Sequence, residues 1–509
     1  MASRRDELNA YTFAKRRLVG QFLQPNPTGT EEGAPKPLRG VLPGMIIAVV
    51  ILAVFGAIGM FKPKAPKDWD AAEKNIIRVS DSSTFYVVLR TNKKPQLHEV
   101  LNLASARLLL RPGADIIDVD EDILDASKLP RGATLGIQNA PDRLPSAEEV
   151  GKKKRWAVCQ RSTDGARAVQ KAAYVLSAAD SGRVGGKDKL TGGEVLFVQG
   201  PDDKLYIVDR QGTKYAFPDG PDQQGLVQLI IGNDTRPQRV TTEWLATLHT
   251  GDPIEFPQVE GLGGPTQAAG VDNLENNERR VGMVLSASSG ATTRQFVVLT
   301  DRVAPVSDFT AYLLLNSPQA VALDTKGKAA EVSSGSFTAG EPYGTEYNWP
   351  EDKASAVNEA ALEEGNRNVI CNVLDEVTGS NATKLFTWAG TDLPAPLAIG
   401  SPSYVSPGSG QLYRQSSGAS ASTGSTFLVT DKGLRYAVQS NQDSQEGFCG
   451  VGTDDAARQK NKAEAEENTS QKRLNYDTVQ PKPIPGEWSD FLPTGPRLST
   501  ADACQPQNL

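Results

Sequence analysis

"YIVDRQGTKYAF", residues 206–217, returns 221 positions later as "FLVTDKGLRYAV", residues 427–438. Aligned without a gap, the copies keep Val208/Val429, Gly212/Gly433, Tyr215/Tyr436 and Ala216/Ala437. Each reads as a β-hairpin, because apolar residues alternate along two strands and "RQG" or "DKG" supplies a turn in which glycine is free to take positive φ. A Glu-Trp segment follows each copy, "EWLATLHTGDPI" at 243–254 and "EWSDFLPTGPRL" at 487–498. We read it as a short helix closed by Thr-Gly, since glycine commonly ends helices. Tyr215, Tyr436, Trp244 and Trp488 are then core anchors of the repeat rather than ligand platforms.

The second copy is the longer one. Gly212 to Trp244 spans 32 positions and Gly433 to Trp488 spans 55, and the excess matches the 23 charged, apolar-poor residues 454–476, "DDAARQKNKAEAEENTSQKRLNY". That stretch reads as a solvated helical or disordered insertion. Upstream lies a weaker pair, "VVLRTNKKPQLHEVLNLASARLLL" at 87–110 and "VVLTDRVAPVSDFTAYLLL" at 297–315. Two kinds of module thus alternate, A-B-A′-B′, as a duplicated two-module unit would. Repetition of small α+β modules extends a protein and multiplies its surfaces, which is scaffold geometry.

A chain of 509 residues has room for about three domains. Its 47 Gly and 33 Pro, with few aromatics, favour a turn-rich, strand-heavy build. "VLPGMIIAVVILAVFGAIGMF", residues 41–61, contains no charge. As a helix it rises about 30 Å, the thickness of a hydrocarbon core. It is too long for a signal h-region, and "FKPKAPKDWD" offers no cleavage site, so we read a retained single-pass transmembrane helix. Before it, "ELNAYTFAKRRLVGQFL" spaces Leu8, Tyr11, Leu18, Val19 and Phe22 near a helical period around Lys15, Arg16 and Arg17. That is a basic amphipathic helix for lipid headgroups or a partner's cytoplasmic domain, with Tyr11, Lys15, Arg16, Arg17 and Phe22 as docking residues. Basic residues stand on both sides of the span, so charge alone leaves the orientation open. All four cysteines, Cys159, Cys371, Cys449 and Cys504, follow the span, an even number suited to disulfides in an oxidising space. The N-terminus is read as cytoplasmic and the bulk as extracytoplasmic. Net charge is −7 although residues 1–40 carry more basic than acidic side chains, so the bulk is acidic and unsuited to nucleic acid.

The usual catalytic patterns are missing. His98 and His249 are the only histidines, each isolated, and no paired Cys-x-x-Cys occurs. "DIIDVDEDILD", 115–125, fails the EF-hand pattern at both Ile123 and Leu129 and reads as a solvated acidic turn, with a weak ion site as the lesser alternative. "GGKDK" at 185–189 and "KGKAA" at 326–330 have Asp188 and Ala329 where a phosphate loop needs Ser or Thr. "SSGASASTGS", 416–425, reads as a flexible loop. No catalytic residue, metal site or cofactor is expected.

The start "RRDELNAYTFAKRRLVGQFL", the single span, "LNLASARLLL" with "LPRGATLGIQNAPDRLP", "WAVC", "VTTEWLATLHTGDPI" and "FLPTGPRLS" together resemble the EccB family, membrane components of type VII (ESX) secretion systems. The resemblance implies an α+β fold: a single N-terminal transmembrane helix, then an elongated extracytoplasmic domain in which four repeat modules flank a central β-rich core. It also implies a homodimer within a larger complex containing EccC, EccD and EccE and neighbouring a mycosin-like protease. Some members carry an ATPase label, which the missing phosphate loop does not support here; likeness to cell-wall-binding modules gives a second alternative, a peptidoglycan anchor. On this pattern residues 1–40 form a cytoplasmic tail, 41–61 the span and 62–78 a linker. Residues 79–160 hold the first module and the start of the core, 161–260 the second module, and 261–345 the third. A central core segment occupies 346–415, and 416–509 is the fourth module with the 454–476 insertion and a tail. Four cysteines allow three connectivities. Cys449 and Cys504 fit a local staple, and "WAVC" belongs to the resemblance, so pairing Cys159 with Cys371 would clasp the chain's halves at the core.

Overall fold

The computed structural model describes residues 3–23, 41–60, 65–91, 94–162, 169–290, 292–359, 365–378, 381–417, 424–438 and 470–507. The chain divides into two compact units, residues 1–67 with 119–126, and 68–118 with 127–509. In the first, helices run over Arg4–Leu23 and Val41–Met60. The second of these helices carries no charge and starts with Pro43 in its first turn, where the missing N–H costs nothing. Its described side chains end at Gly56. Among the described residues no helix is long and apolar enough to cross a membrane.

The second unit is built of small sheets. β1 (Asn75–Val79), β2 (Phe85–Thr91) and β3 (Lys94–Val100) form a meander, helix Leu103–Leu109 crosses over, and β4 (Asp115–Val119) lies beside β1. The helix starts where Asn102 accepts the Ser105 amide at 3.0 Å, satisfying a donor the helix cannot. β5 (Arg155–Ser162) and β6 (Val169–Leu176) follow as a hairpin. The meander then recurs in β7 (Glu194–Gln199), β8 (Leu205–Val208) and β9 (Thr213–Ala216). Helix Asp222–Ile230 crosses over to β10 (Gln238–Arg239), parallel to β7, and β11 (His249–Thr250) adds to β9. It recurs in β12 (Val284–Ser289), β13 (Thr292–Val298) and β14 (Val303–Val306), with helix Asp308–Leu315 leading to β15 (Ala330–Ser333), parallel to β12. The short β16 (Ser355–Ala356) joins β7. After the hairpin of β17 (Val369–Val377) and β18 (Thr383–Gly390), and β19 (Ser403–Val405), it recurs once more. β20 (Gly410–Ser416), β21 (Thr426–Thr430) and β22 (Arg435–Val438) make that last meander, and β23 (Lys482–Pro485) runs parallel to β20.

The two kinds of module distinguishable in sequence are therefore one topology used four times, a three-strand meander whose fourth strand returns beside the first. A strand that returns parallel to the first needs a crossover connection rather than a tight turn. The cores reveal the partnering. The first sheet shares its core with the last, Val87 and Leu108 packing with Leu428, Tyr436 and Tyr476. The second packs against the helix of the third module, Phe197 and Tyr215 sharing a core with Phe309 and Leu313 of Asp308–Leu315 and with Trp349. Between them runs the sheet β18-β17-β5-β6-β19, whose middle pair β5 and β17 is antiparallel. Cys159 faces Cys371, and Val158↔Asn372 mirrors Gln160↔Ile370, so the pairing is symmetric about the cysteines. Equivalent strands of the two halves of a duplication meet at their equivalent residue.

Three expectations are corrected. The helix after each hairpin ends before its Thr-Gly: Thr242–Ala246 and Gly486–Ser489 stop at C-caps Thr247 and Asp490. The glycine has another task, described below. Residues 115–125 are not a turn but β4 followed by helix Glu121–Asp125, since Ile116 and Ile117 sit in an edge strand whose Asp118 pairs with Arg78 at 2.7 Å. The end of the expected insertion is not solvated: Ser470, Arg473, Leu474 and Tyr476 are buried. Arg473 donates to the carbonyls of Leu108 (2.9 Å) and Leu110 (3.1 Å), and Tyr476 Oη to that of Pro145 (2.8 Å). Burial lowers the Arg473 pKa to about 10. Residues 454–469 lie outside the described residues.

Candidate functional site

The sequence directs attention to the repeated anchors. Gly212 and Gly433 turn the hairpins with φ of 75° and 77°. Both turns press on the central sheet: a Cβ on Gly212 would lie 2.9 Å from the Leu385 Cβ, and one on Gly433 2.5 Å from Ser403 Oγ. Tyr215, Tyr436, Trp244 and Trp488 are all buried. Trp244 reaches the central sheet, its Nε1 donating to the Val158 carbonyl at 3.0 Å, while its helix is started by Thr241. Gln160 holds that cap, donating to Thr241 Oγ1 (2.7 Å) and accepting from the Thr241 amide (3.0 Å). Tyr215 Oη donates to Asp209 Oδ2 at 3.0 Å, and the Gln211 and Thr213 amides donate to Oδ1. Burial nevertheless raises the Asp209 pKa, and burial raises that of Tyr215 as well.

A feature that sequence reading missed unites all four sheets. Gly132, Gly251, Gly340 and Gly495 each donate their amide to a third-strand carbonyl, those of Leu97 (2.9 Å), Lys214 (2.9 Å), Val303 (2.8 Å) and Arg435 (2.8 Å). Three residues later Leu135, Ile254, Tyr343 and Leu498 donate to the carbonyls of Glu99, Ala216, Pro305 and Ala437, two beyond the first set. A G-x-x-apolar segment thus zips along the outer side of every third strand. In three sheets a ring lies on the glycine: a Cβ would come within 2.2 Å of His98, 2.3 Å of Tyr215 and 2.5 Å of Tyr436. The signal was present in "GATL", "GDPI", "GEPY" and "GPRL", but the glycine follows its strand by unequal distances, which hides the pattern.

Cys159 and Cys371, both fully buried, form a disulfide. Cys504 is also disulfide-bonded, and Cys449 lies outside the described residues. On the N-terminal helix Tyr11, Lys15, Arg16, Arg17 and Phe22 are exposed. Neither candidate phosphate loop opens a helix after a strand, the geometry that collects amide dipoles on phosphate. Gly186–Asp188 is a single 3₁₀ turn, and Lys326–Ala330 runs into β15. Among the described residues no group of three or more His, Cys, Asp or Glu is placed to hold a metal.

The family described as "Type VII secretion system ESX-1, transport TM domain B" matches residues 1–508. The chain belongs to the EccB family. It is 26% identical over 313 residues to "ESX-1 secretion system ATPase EccB1" of Mycobacterium tuberculosis, covering 60% of each chain. It is 24% identical over 530 residues to "ESX-3 secretion system ATPase EccB3" of the same species, covering 98% of this chain and 88% of that one. Its fold is similar to a chain of an intact ESX-5 inner membrane complex, with TM-score 0.56 and 19% identity over all of this chain and 96% of that one. It is also similar to an EccB3 chain solved as a dimer from the ESX-3 core complex, with TM-score 0.53 and 21% identity over 84% of this chain and 99% of that one.

Proposed function

We propose that this EccB-family chain is a structural membrane subunit of a type VII secretion complex, coupling a cytoplasmic helix through one span to an extracytoplasmic scaffold that dimerises. The observation that carries the reading is the family match from residue 1 to 508, which takes in the helices and the sheets alike. The helix Val41–Met60 supports the span: it has no charge, and Met45, Ile46, Ile47, Leu52 and Phe55 are exposed along it, a surface that only an apolar surrounding would cover. The partners on this reading are EccC, EccD, EccE and a mycosin-like protease, with a second copy of the chain. The sheets read as rigid, with a glycine segment zipped along the third strand of each meander and a disulfide across the central sheet, which suits a scaffold better than a catalyst.

The test is co-purification of the tagged full-length chain with the other membrane subunits from a native host. Recovery of the chain alone in mild detergent would overturn the reading. Orientation is tested with native thiols blocked: a cysteine introduced at position 30 should resist a membrane-impermeant reagent in whole cells, and one introduced at 460 should label. Although EccB1 and EccB3 bear the name ATPase, this reading expects no saturable binding of ATP with magnesium in calorimetry.

A further inference from the structure

The two sheets that carry the repeated hairpin place a cation at the same position of the third strand. In the later copy Arg435 Nη1 donates to Asp490 Oδ1 at 2.8 Å and Ser489 Oγ at 2.7 Å, and its guanidinium lies 5.3 Å from the centroid of the Phe427 ring. Asp490 stands two residues after Trp488. In the earlier copy the same register puts Lys214 in place of Arg435, Tyr206 in place of Phe427 and Ala246, two residues after Trp244, in place of Asp490. The cation is kept and its carboxylate is gone. Lys214 Nζ donates to the Leu245 carbonyl at 2.7 Å, and among the described residues it forms no ion pair; half-buried, its pKa is lowered by desolvation alone.

What stands beside it is an open cleft of ≈ 560 Å³ walled by Tyr206, Leu245 and Ala246, with Lys214 in its lining. Asp202 also lines the cleft, its Oδ1 accepting the Lys204 amide at 3.3 Å. An ammonium has three donors, and here one carbonyl takes one of them. A carboxylate would accept the others in charge-assisted bonds roughly twice as strong as neutral ones. We infer that this cleft receives the carboxylate of an aspartate or glutamate side chain from a partner protein, held by Lys214 with its stem against Tyr206, as Arg435 and Phe427 hold Asp490 within the chain. A protein side chain is the occupant because the internal occupant is one, and because the cleft is open enough to admit the backbone that carries it. The inference rests on the proposed complex membership only for the identity of the partner.

Carbodiimide joins an amine to a carboxylate in direct contact, so the full-length chain in its purified complex is the sample, with peptide mapping as the readout. The expected product is an amide between Lys214 and an Asp or Glu of another subunit. Lys214→Arg should keep assembly and lose the amide, while Ala246→Asp should replace it by an amide to the introduced carboxylate. Lys214 recovered unlinked from the assembled wild type, or an intersubunit amide that persists in Ala246→Asp, overturns the site. The isolated chain supplies a second reading. Acylation of Lys214 by an N-hydroxysuccinimide ester should slow at least fivefold at saturating N-acetylaspartyl methylamide and not with the asparaginyl analogue, and equal rates reject the site even if complex membership stands. Should the wild type purify without partners, the membership reading fails and the acylation rates alone decide the site.

Discussion

Adding one methyl group at the glycine that zips each third strand should cost very different amounts in the four sheets, although the backbone role is identical. None of Gly132, Gly251, Gly340 and Gly495 has a left-handed φ, so an alanine is conformationally acceptable and only space decides. At Gly495 the new Cβ would lie 2.5 Å from Tyr436 Cε1 and 2.7 Å from Cδ1. The ring is fully buried among Leu412, Leu428 and Leu498 and has to move by about 1 Å to reach ordinary contact. Overpacking of this kind costs about 1–3 kcal/mol, and the upper end applies where the obstructing ring is enclosed. At Gly340 the neighbours are Arg302 Cδ at 3.1 Å and Cβ at 3.2 Å, part of a partly exposed, flexible side chain. Gly340→Ala should fall within about 0.5 kcal/mol of the parent, since the lost unfolded-state entropy offsets the small displacement. Pulse proteolysis of the full-length protein across a urea series reads both midpoints. In a Tyr436→Ala background the cost of Gly495→Ala should largely vanish, because its cause has been removed. Equal costs at 340 and 495, or an undiminished cost in that background, would refute the packing argument.

Cys159→Ser should lower the unfolding midpoint more than Cys504→Ser: the bond closes 212 residues, which contributes about 5 kcal/mol in the chain-entropy model, and non-reducing peptide maps should show Cys371 as the thiol released. Trp244→Phe should cost about 1 kcal/mol, because it removes the indole donor to the Val158 carbonyl while the β5–β17 ladder is kept, and the loss reads as a lower urea midpoint. Glu149 is held below its ordinary pKa first by its hydrogen bond to buried Lys154 and then by that to Ser409. A depressed carboxyl contributes stability that is present above the unfolded value of 4.5 and lost as pH falls through the lower folded one, so urea midpoints measured across that acid range should drop less in Glu149→Gln than in the parent.

Much of this fold is local and therefore legible. The hairpins at 206–217 and 427–438 follow from alternation and a glycine whose φ the turn requires, and the charge-free helix 41–60 follows from composition alone. The duplication was legible because equivalent local structures need equivalent residues. What the sequence left open is what depends on distant contacts. That the first sheet packs on the last is decided by apolar faces as far apart as Leu108 and Tyr476, whose burial rewards any partner and names none. Thr-Gly after the helix looked like a cap because caps are local, whereas its glycine is there to pass under a tyrosine ring brought by another strand. The four cysteines allowed three pairings on arithmetic; β5 meeting β17 in antiparallel register makes Cys159 and Cys371 neighbours. Lys214 without its carboxylate is the sharpest case, since a lysine on an alternating strand is unexceptional until the folded repeat puts Arg435 and Asp490 beside it for comparison. Sequence determined the units because their forces act over a few residues, and tertiary structure decided the partnering because the hydrophobic effect carries no address.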